Sequence, residues 1–257
     1  MRDLRVALAV GLSIALGLAA STTSSDTTSA AAQTETAAAT AAPEADARGG
    51  EVEALDPGVE ALGAPAVAAG TKWVYLTFDD GPSARYTAQV LKILHAYKVR
   101  ATFFVVGQNV KRYPYLTRRA DRLGHSVQNH TWSHPNLRNV SWKTFKYQIR
   151  TTDRYVRAQT GYTPRCLRPP YGATNRIVAR RAAALGKTIK LWSVDPRDWA
   201  RPGASVIARR VLAKVQPGSV ILLHDGGGNR SQTVAALPKI LKTLKARGYV
   251  FYPLWCQ

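Results

Sequence analysis

The 257-residue chain carries 36 Lys and Arg against 16 Asp and Glu, a formal net charge of +20, and 46% of it is hydrophobic. That length and apolar content support a full core, and only two cysteines occur, so the chain is neither a disordered polyelectrolyte nor a disulfide-knit miniprotein. The charge is unevenly divided: three Arg and nine acids precede Thr71, leaving 33 basic residues against seven acidic ones beyond it, a balance that attracts anionic surfaces and weakens with salt.

In chain order, a short charged start, Met1–Arg5, precedes an almost wholly apolar run from Val6 to Ala20. The run is shorter than the roughly 20 residues of a spanning helix. Residues 1–20 therefore read as a signal peptide, with an uncleaved N-terminal anchor as the alternative. Cleavage is expected between Ala19 and Ala31. Residues 21–70 are mostly Ala, Thr, Ser, Gly and Pro with scattered acids and no aromatic residue. Such a stretch buries too little apolar surface to offset its ordering entropy, so it reads as a disordered spacer, or else a propeptide. The domain over 71–257 is then expected outside the cytoplasm, secreted or wall-associated.

From Trp73 onward short apolar runs alternate with longer amphipathic ones. Strands are predicted at Trp73–Phe78, Ala101–Val106, Ser126–Asn129, Pro164–Arg168, Thr188–Val194, Ser219–Leu223 and Tyr249–Pro253. Helices are predicted at Tyr86–Tyr97, Tyr115–Leu123, Trp142–Thr160, Asn175–Leu185, Ala204–Lys214 and Thr233–Arg247. This alternation predicts an α/β fold: a distorted (β/α) barrel of about seven parallel strands in a single catalytic domain. No dinucleotide fingerprint follows a strand, and a Rossmann-type sheet is the structural alternative. The lone pair Cys166 and Cys256 is expected to form a disulfide in an oxidising compartment.

All seven acids of the domain are Asp, and five of them, with His130, His224 and Arg168, fall at predicted strand ends. In a βα barrel those ends form the active face. Thr77-Phe78-Asp79-Asp80-Gly81-Pro82 presents two carboxylates in different directions, suited to a metal ligand and a proton acceptor, although Asp-Gly-Pro is also ordinary turn chemistry. In His130-Thr131-Trp132-Ser133-His134, a spacing of four lets both imidazoles face one point on a helical turn. Two His plus one carboxylate is a common set for zinc and also holds non-haem iron. The prolines of Arg168-Pro169-Pro170-Tyr171-Gly172 stiffen a loop whose remaining amides suit oxyanion binding, or a plain rigid turn. Asp195-Pro196-Arg197-Asp198-Trp199 and Leu222-Leu223-His224-Asp225 close the series, with His224 an acid/base candidate because nearby carboxylates favour its protonated form. His95 and His125 are expected to serve packing or solubility.

In this order TFDDGP, HTWSH, RPPYG, DPRDW and LLHD resemble the polysaccharide deacetylases of carbohydrate esterase family four, over roughly Thr71 to Gln257. The resemblance implies that Asp79 is the general base and that Asp80, His130 and His134 hold a divalent metal, zinc first and cobalt or another ion as substitutes. It implies that Arg168 positions the base and that the Tyr171 amide helps hold the oxyanion. Asp198 tunes the catalytic acid His224, with Asp195 as a rival for that role. Trp199 and Leu222 line the acetyl pocket. The one small departure is Ser126-Val127-Gln128, where the family often carries an acidic residue. The implied activity is deacetylation of N-acetylglucosamine units in peptidoglycan or chitin-like oligomers by a monomer. The partner is a polysaccharide, with attraction to anionic wall polymer and none specific to nucleic acid. Acetylxylan esterase is the alternative activity, and an inactive wall- or sugar-binding protein on the same scaffold is the alternative of another class.

Overall fold

The computed structural model describes residues 70–256. The leader expected over 1–20 and, up to residue 69, the spacer expected over 21–70 lie outside the described residues. Strand and helix alternate from Lys72 in the order β1 (Lys72–Asp79), α1 (Thr87–Ala96), β2 (Thr102–Val105), α2 (Gly107–Arg112), α3 (Pro114–Arg122), β3 (Ser126–Asn129), α4 (Trp142–Thr160) and β4 (Cys166–Leu167). They continue with α5 (Arg176–Ala183), β5 (Thr188–Ile189), α6 (Ala204–Lys214), β6 (Ser219–His224), α7 (Ser231–Ala246) and β7 (Tyr249–Phe251). Side-chain caps fix two helix starts: Ser141 accepts from the Thr144 N–H at the head of α4, and Asn175 from the Val178 N–H at the head of α5. Gly161, at φ 81°, ends α4 in the left-handed conformation that glycine adopts without penalty.

The strands pair in parallel in the order β5-β4-β3-β2-β1-β6, and β7 joins the first residues of β1. A doubly wound sheet reverses its strand order at β1. Here too β6 lies on the side of β1 away from β2, but the segment after β5 also bridges β6, so the sheet curls toward closure. Beyond β5, Val194 bridges Ile221 of β6, and the Leu222 N–H donates to Val194 O at 2.9 Å. The strand expected over Thr188–Val194 is thus β5 plus one isolated bridge, and the barrel is distorted there. The expected Pro164–Arg168 strand likewise contracts to β4. Helix α2 was not expected, because six residues are too few for a period to register.

The core forms because β1 sits at the centre with Val74, Leu76 and Phe78 fully buried, and α1 and α7 cover it with Leu91, Leu94, Leu237 and Leu241. Burying each such side chain contributes about 1.5–3 kcal/mol. A second cluster seats α4 and α5 on β4 through Phe145, Ile149, Leu167, Val178 and Ala182. The strand expected to reach Pro253 ends at Phe251, and the tail then crosses the floor of the barrel. The Tyr252 N–H donates to Val74 O, the Leu254 N–H to Thr102 Oγ1, and Ser126 Oγ to Leu254 O. Cys256 joins Cys166 in the expected disulfide. That link closes a loop with a sequence separation of 90, worth roughly 4.6 kcal/mol on the loop-entropy model.

Candidate active site

At the opposite end, the carboxyl ends of the strands surround a cavity of about 450 Å³. Eight of the ten residues singled out from sequence line it: Asp79, Asp80, His130, His134, Tyr171, Trp199, Leu222 and His224. The other two, Arg168 and Asp198, stand directly behind, fully or almost fully buried. Trp192 and Asp195 complete the wall.

The ligand set assembles at the carboxyl ends of β1 and β3, the two strands that flank β2. Asp80 Oδ1 lies 3.2 Å from His134 Nε2 and 3.5 Å from His130 Nε2. One ligand atom from each of the three residues falls within 4.8 Å of the others. His130 Nδ1 is 2.6 Å from the Arg168 carbonyl, which only accepts, so Nδ1 carries the proton and Nε2 keeps its lone pair. Burial alone would raise the Asp80 pKa, but the two imidazoles beside it outweigh that and hold its carboxyl far below the usual carboxylate range. A carboxylate and two imidazoles so arranged fit a divalent cation.

His130 and His134 do not share a helical turn. They stand on a loop after β3, in which Thr131 (φ 69°) and His134 (φ 59°) take left-handed backbone. Asn129 Oδ1 accepts the Thr131 N–H, and Gln148 on the inner face of α4 accepts the Trp132 and Ser133 N–H groups. Seven non-glycine residues have positive φ among those described, and Asp80, Thr131, His134, Tyr171 and Arg197 all border this mouth. Each costs on the order of 1–3 kcal/mol, so backbone strain concentrates where the side chains converge.

Asp79 is held apart from the ligand set. Its Oδ1 takes a 2.7 Å charge-assisted bond from Arg168 Nη1, which leaves Oδ2 toward the cavity, 3.8 Å from His130 Nε2. The Arg168 guanidinium also donates to Thr77 Oγ1, Lys190 O and Leu191 O, and it lies 4.0 Å over the Phe104 ring. Burial lowers its pKa and Asp79 opposes that shift. Tyr171 is 70% exposed on a turn closed by the Gly172 N–H to Pro169 O and the Ala173 N–H to Pro170 O. Its own N–H takes no part in those two bonds.

On the far wall His224 Nδ1 lies 2.7 Å from Asp198 Oδ1, and Asp198 Oδ2 accepts from Thr233 Oγ1. Burial opposes the charged imidazole, but the hydrogen bond and charge of Asp198, with Asp79 and Asp80, raise the His224 pKa to about 9. At neutral pH the ring is cationic, with Nε2 as the nitrogen left free. The rival, Asp195, accepts the Arg197 N–H instead.

Three features were not singled out from sequence. Gly226 and Gly227 let the β6–α7 loop lie against Asp80: a Cβ on Gly226 would fall 2.1 Å from Asp80 O, and one on Gly227 2.3 Å from Oδ2. Buried Arg230 clamps that loop through Gly226 O and Gly227 O. Asp225 is fully buried beneath it, with Thr87 Oγ1 donating to Oδ2 and no hydrogen-bond partner for Oδ1 among the described residues. Burial pushes its pKa up to about 7. A Gly triplet after a strand could have flagged the close approach, but nothing in the sequence marks Asp225 as the buried one.

Known proteins share this construction. A family model described as polysaccharide deacetylase matches residues 66–189. A chitooligosaccharide deacetylase of Bradyrhizobium sp. (strain ANU 289) is 42% identical over 72% of this chain and 90% of its own length.

The chain belongs to the polysaccharide deacetylase family.

A peptidoglycan-N-acetylglucosamine deacetylase of Bacillus cereus is 43% identical over 70% of this chain and 85% of its own. The crystal structure of the Bc1960 peptidoglycan N-acetylglucosamine deacetylase superposes with a TM-score of 0.70 at 39% identity, covering 72% of this chain and 87% of that one. Membership makes the chain a hydrolytic deacetylase of polysaccharides that depends on a metal, and the Asp80–His130–His134 group is the site that fits the ion.

Proposed function

We propose that this domain removes the N-acetyl group from N-acetylglucosamine units of peptidoglycan or of a chitin-like chain. It would do so with zinc held by Asp80, His130 and His134, and cobalt or another divalent ion as a substitute. The observation that carries the N-acetyl reading is the His224–Asp198 pair. An amide nitrogen leaves only when protonated, and His224, with a pKa of about 9, holds that proton at neutral pH.

The ion would supply Lewis acidity at the acetyl carbonyl and favour ionisation of water. Asp79 Oδ2 accepts the proton of the attacking water while Arg168 fixes Oδ1, so the carboxylate neither rotates nor turns away. The water oxygen bonds to the carbonyl carbon, and the Tyr171 N–H helps hold the developing oxyanion. His224 then protonates the nitrogen as the C–N bond breaks, releasing acetate and an amine. Trp199 and Leu222 wall the space for the acetyl methyl.

The apolar run over 6–20 and the Cys166–Cys256 disulfide support action outside the cytoplasm, on the wall or secreted. Acetate release from peptidoglycan, chitooligosaccharides and acetylxylan, offered side by side to the zinc-loaded protein, tests the reading. Release from an amino-sugar polymer is expected. Release from xylan alone would assign an esterase, and silence on all three with metal bound would leave a binding protein.

A further inference from the structure

Helix α4 has two unlike faces. Phe145, Gln148, Ile149, Thr152 and Val156 are buried, and Gln148 braces the His130–His134 loop. Directly opposite, Lys143, Tyr147, Arg150, Arg154 and Arg157 are all exposed. Their spacing of 4, 3, 4 and 3 residues keeps them in one row. At a rise of 1.5 Å per residue the row runs about 21 Å, with a cation roughly every turn or two. The chain enters α4 from the loop after β3, so Lys143 starts at the mouth and Arg157 ends toward the floor.

Among the described residues no carboxylate forms a salt bridge with this row. Of the seven acids beyond Thr71, five stand at the mouth. Asp153, on α4 itself, turns inward to Lys187 at 2.6 Å and Asn129 at 2.8 Å. Only Asp121 of α3 remains, beside exposed Arg118 and Arg122 of the same helix. A cavity of about 520 Å³ lined by Asp153, Arg154, Arg157, Ala158 and Thr163 opens beside the lower end of the row, with the Asp153 carboxylate already engaged by Lys187. Exposed cations without a carboxylate partner repel one another, and an anion lying along them relieves that repulsion.

We propose that the outer face of α4 is a docking strip for a linear polyanion whose charges are phosphates carried along a single extended chain. The straight row selects a polymer over a single phosphorylated metabolite. Guanidinium groups, three of the four cations, pair with phosphate oxygens in bidentate fashion. The strip stands apart from the acetyl-cleaving site and begins at its rim, so a bound polyanion would run alongside the neutral glycan being cleaved.

The test titrates the full-length protein with linear inorganic polyphosphate at several salt concentrations. It compares K143Q/R150Q/R154Q/R157Q with a control on the opposite helices, R209Q/K214Q/K239Q/K242Q, which removes the same charge. The α4 variant is expected to lose at least about 10-fold in affinity, with its log–log salt slope shallower by about 3, while the control changes far less. Acetate release from a short neutral chitooligosaccharide should stay at the parent rate in both variants, which confirms their folding independently of polyanion binding. Equal losses in the two variants would reduce the strip to bulk charge and overturn the proposal. Tighter binding of duplex DNA than of polyphosphate would overturn it too, in favour of a nucleic-acid surface.

Discussion

Asp198 grips His224 at two points, its Oδ1 on the imidazole Nδ1 at 2.7 Å and its Oδ2 on the backbone N–H at 2.9 Å. The carboxylate therefore fixes both the tautomer and the aim of the ring, and it supplies most of the force that holds the proton on. A catalytic acid works only while protonated, so activity should fall on the alkaline side as pH passes about 9. In Asp198→Asn the opposing effect of burial remains and the supporting charge is gone. The alkaline limb of kcat should then move down toward the ordinary imidazole value of about 6.5, with a loss of order 10²-fold at pH 8. A pH–rate profile checks this, and an unmoved limb would assign it to another group.

The two adjacent carboxylates should separate cleanly. Asp79→Asn keeps an acceptor for Arg168 and leaves the ligand set untouched, so metal affinity should hold while acetate release drops by about 10²- to 10⁴-fold. Asp80→Ala removes a ligand, and its metal affinity should fall well before any change in fold. Metal titration by calorimetry alongside the activity assay distinguishes them. Chelation of the parent protein should abolish activity and re-addition of zinc restore it.

Gly226→Ala should disturb the metal site without altering any of its ligands. The added methyl would meet the Asp80 backbone at 2.1 Å, and backbone cannot swing away as a flexible side chain does. Asp80 must shift, so metal affinity is expected to fall about 10- to 100-fold, the range seen when support behind a ligand is lost. Alanine at exposed Gly161, where nothing lies within 4 Å, is the comparison: it should cost some stability and leave the affinity alone.

Asp225 predicts a stability profile. Its folded pKa, about 7, lies above the ordinary 3.8. Between these values the unfolded chain has lost the proton that the folded chain keeps, so stability contributed by the buried acid is full below pH 4 and declines as pH rises toward 7. His224 adds a decline of the same sign only from about 6.5 to 9. Between pH 4.5 and 6 buried His125, whose pKa burial lowers to about 4, adds a slope of the opposite sign. The readout in denaturant unfolding of chelator-treated protein is therefore the difference between parent and Asp225→Asn, the variant lacking the declining share. A slope identical in parent and variant would mean that the Asp225 carboxyl ionises in the folded state.

The alternation of strand and helix, and every member of the Asp79, Asp80, His130, His134, Arg168, His224 constellation, were legible in the sequence. Strand ends in a barrel converge, and rare acids placed there stand out against a basic chain. The His loop was misread as a helical turn because a spacing of four suits one, whereas strained backbone at Thr131 and His134 brings the rings together instead. The choice of Asp198 over Asp195 depended on a turn whose hydrogen bonds take up Asp195 locally. Asp225 and Gly226 act through what they touch across the fold, at Gly81 and Asp80, and contacts between distant positions leave no local pattern.

The gathering of five of the domain's seven carboxylates at its mouth has a consequence for turnover. Every acetyl group removed uncovers an amine that can take up a proton, so a worked stretch of polymer gains positive charge. Beyond Gly70 the chain carries 33 basic residues against seven acids, so away from the mouth the domain repels that stretch, while unworked glycan feels no such push. The enzyme is thus built to let go of what it has finished, and its own success sets the spacing of the groups it leaves behind.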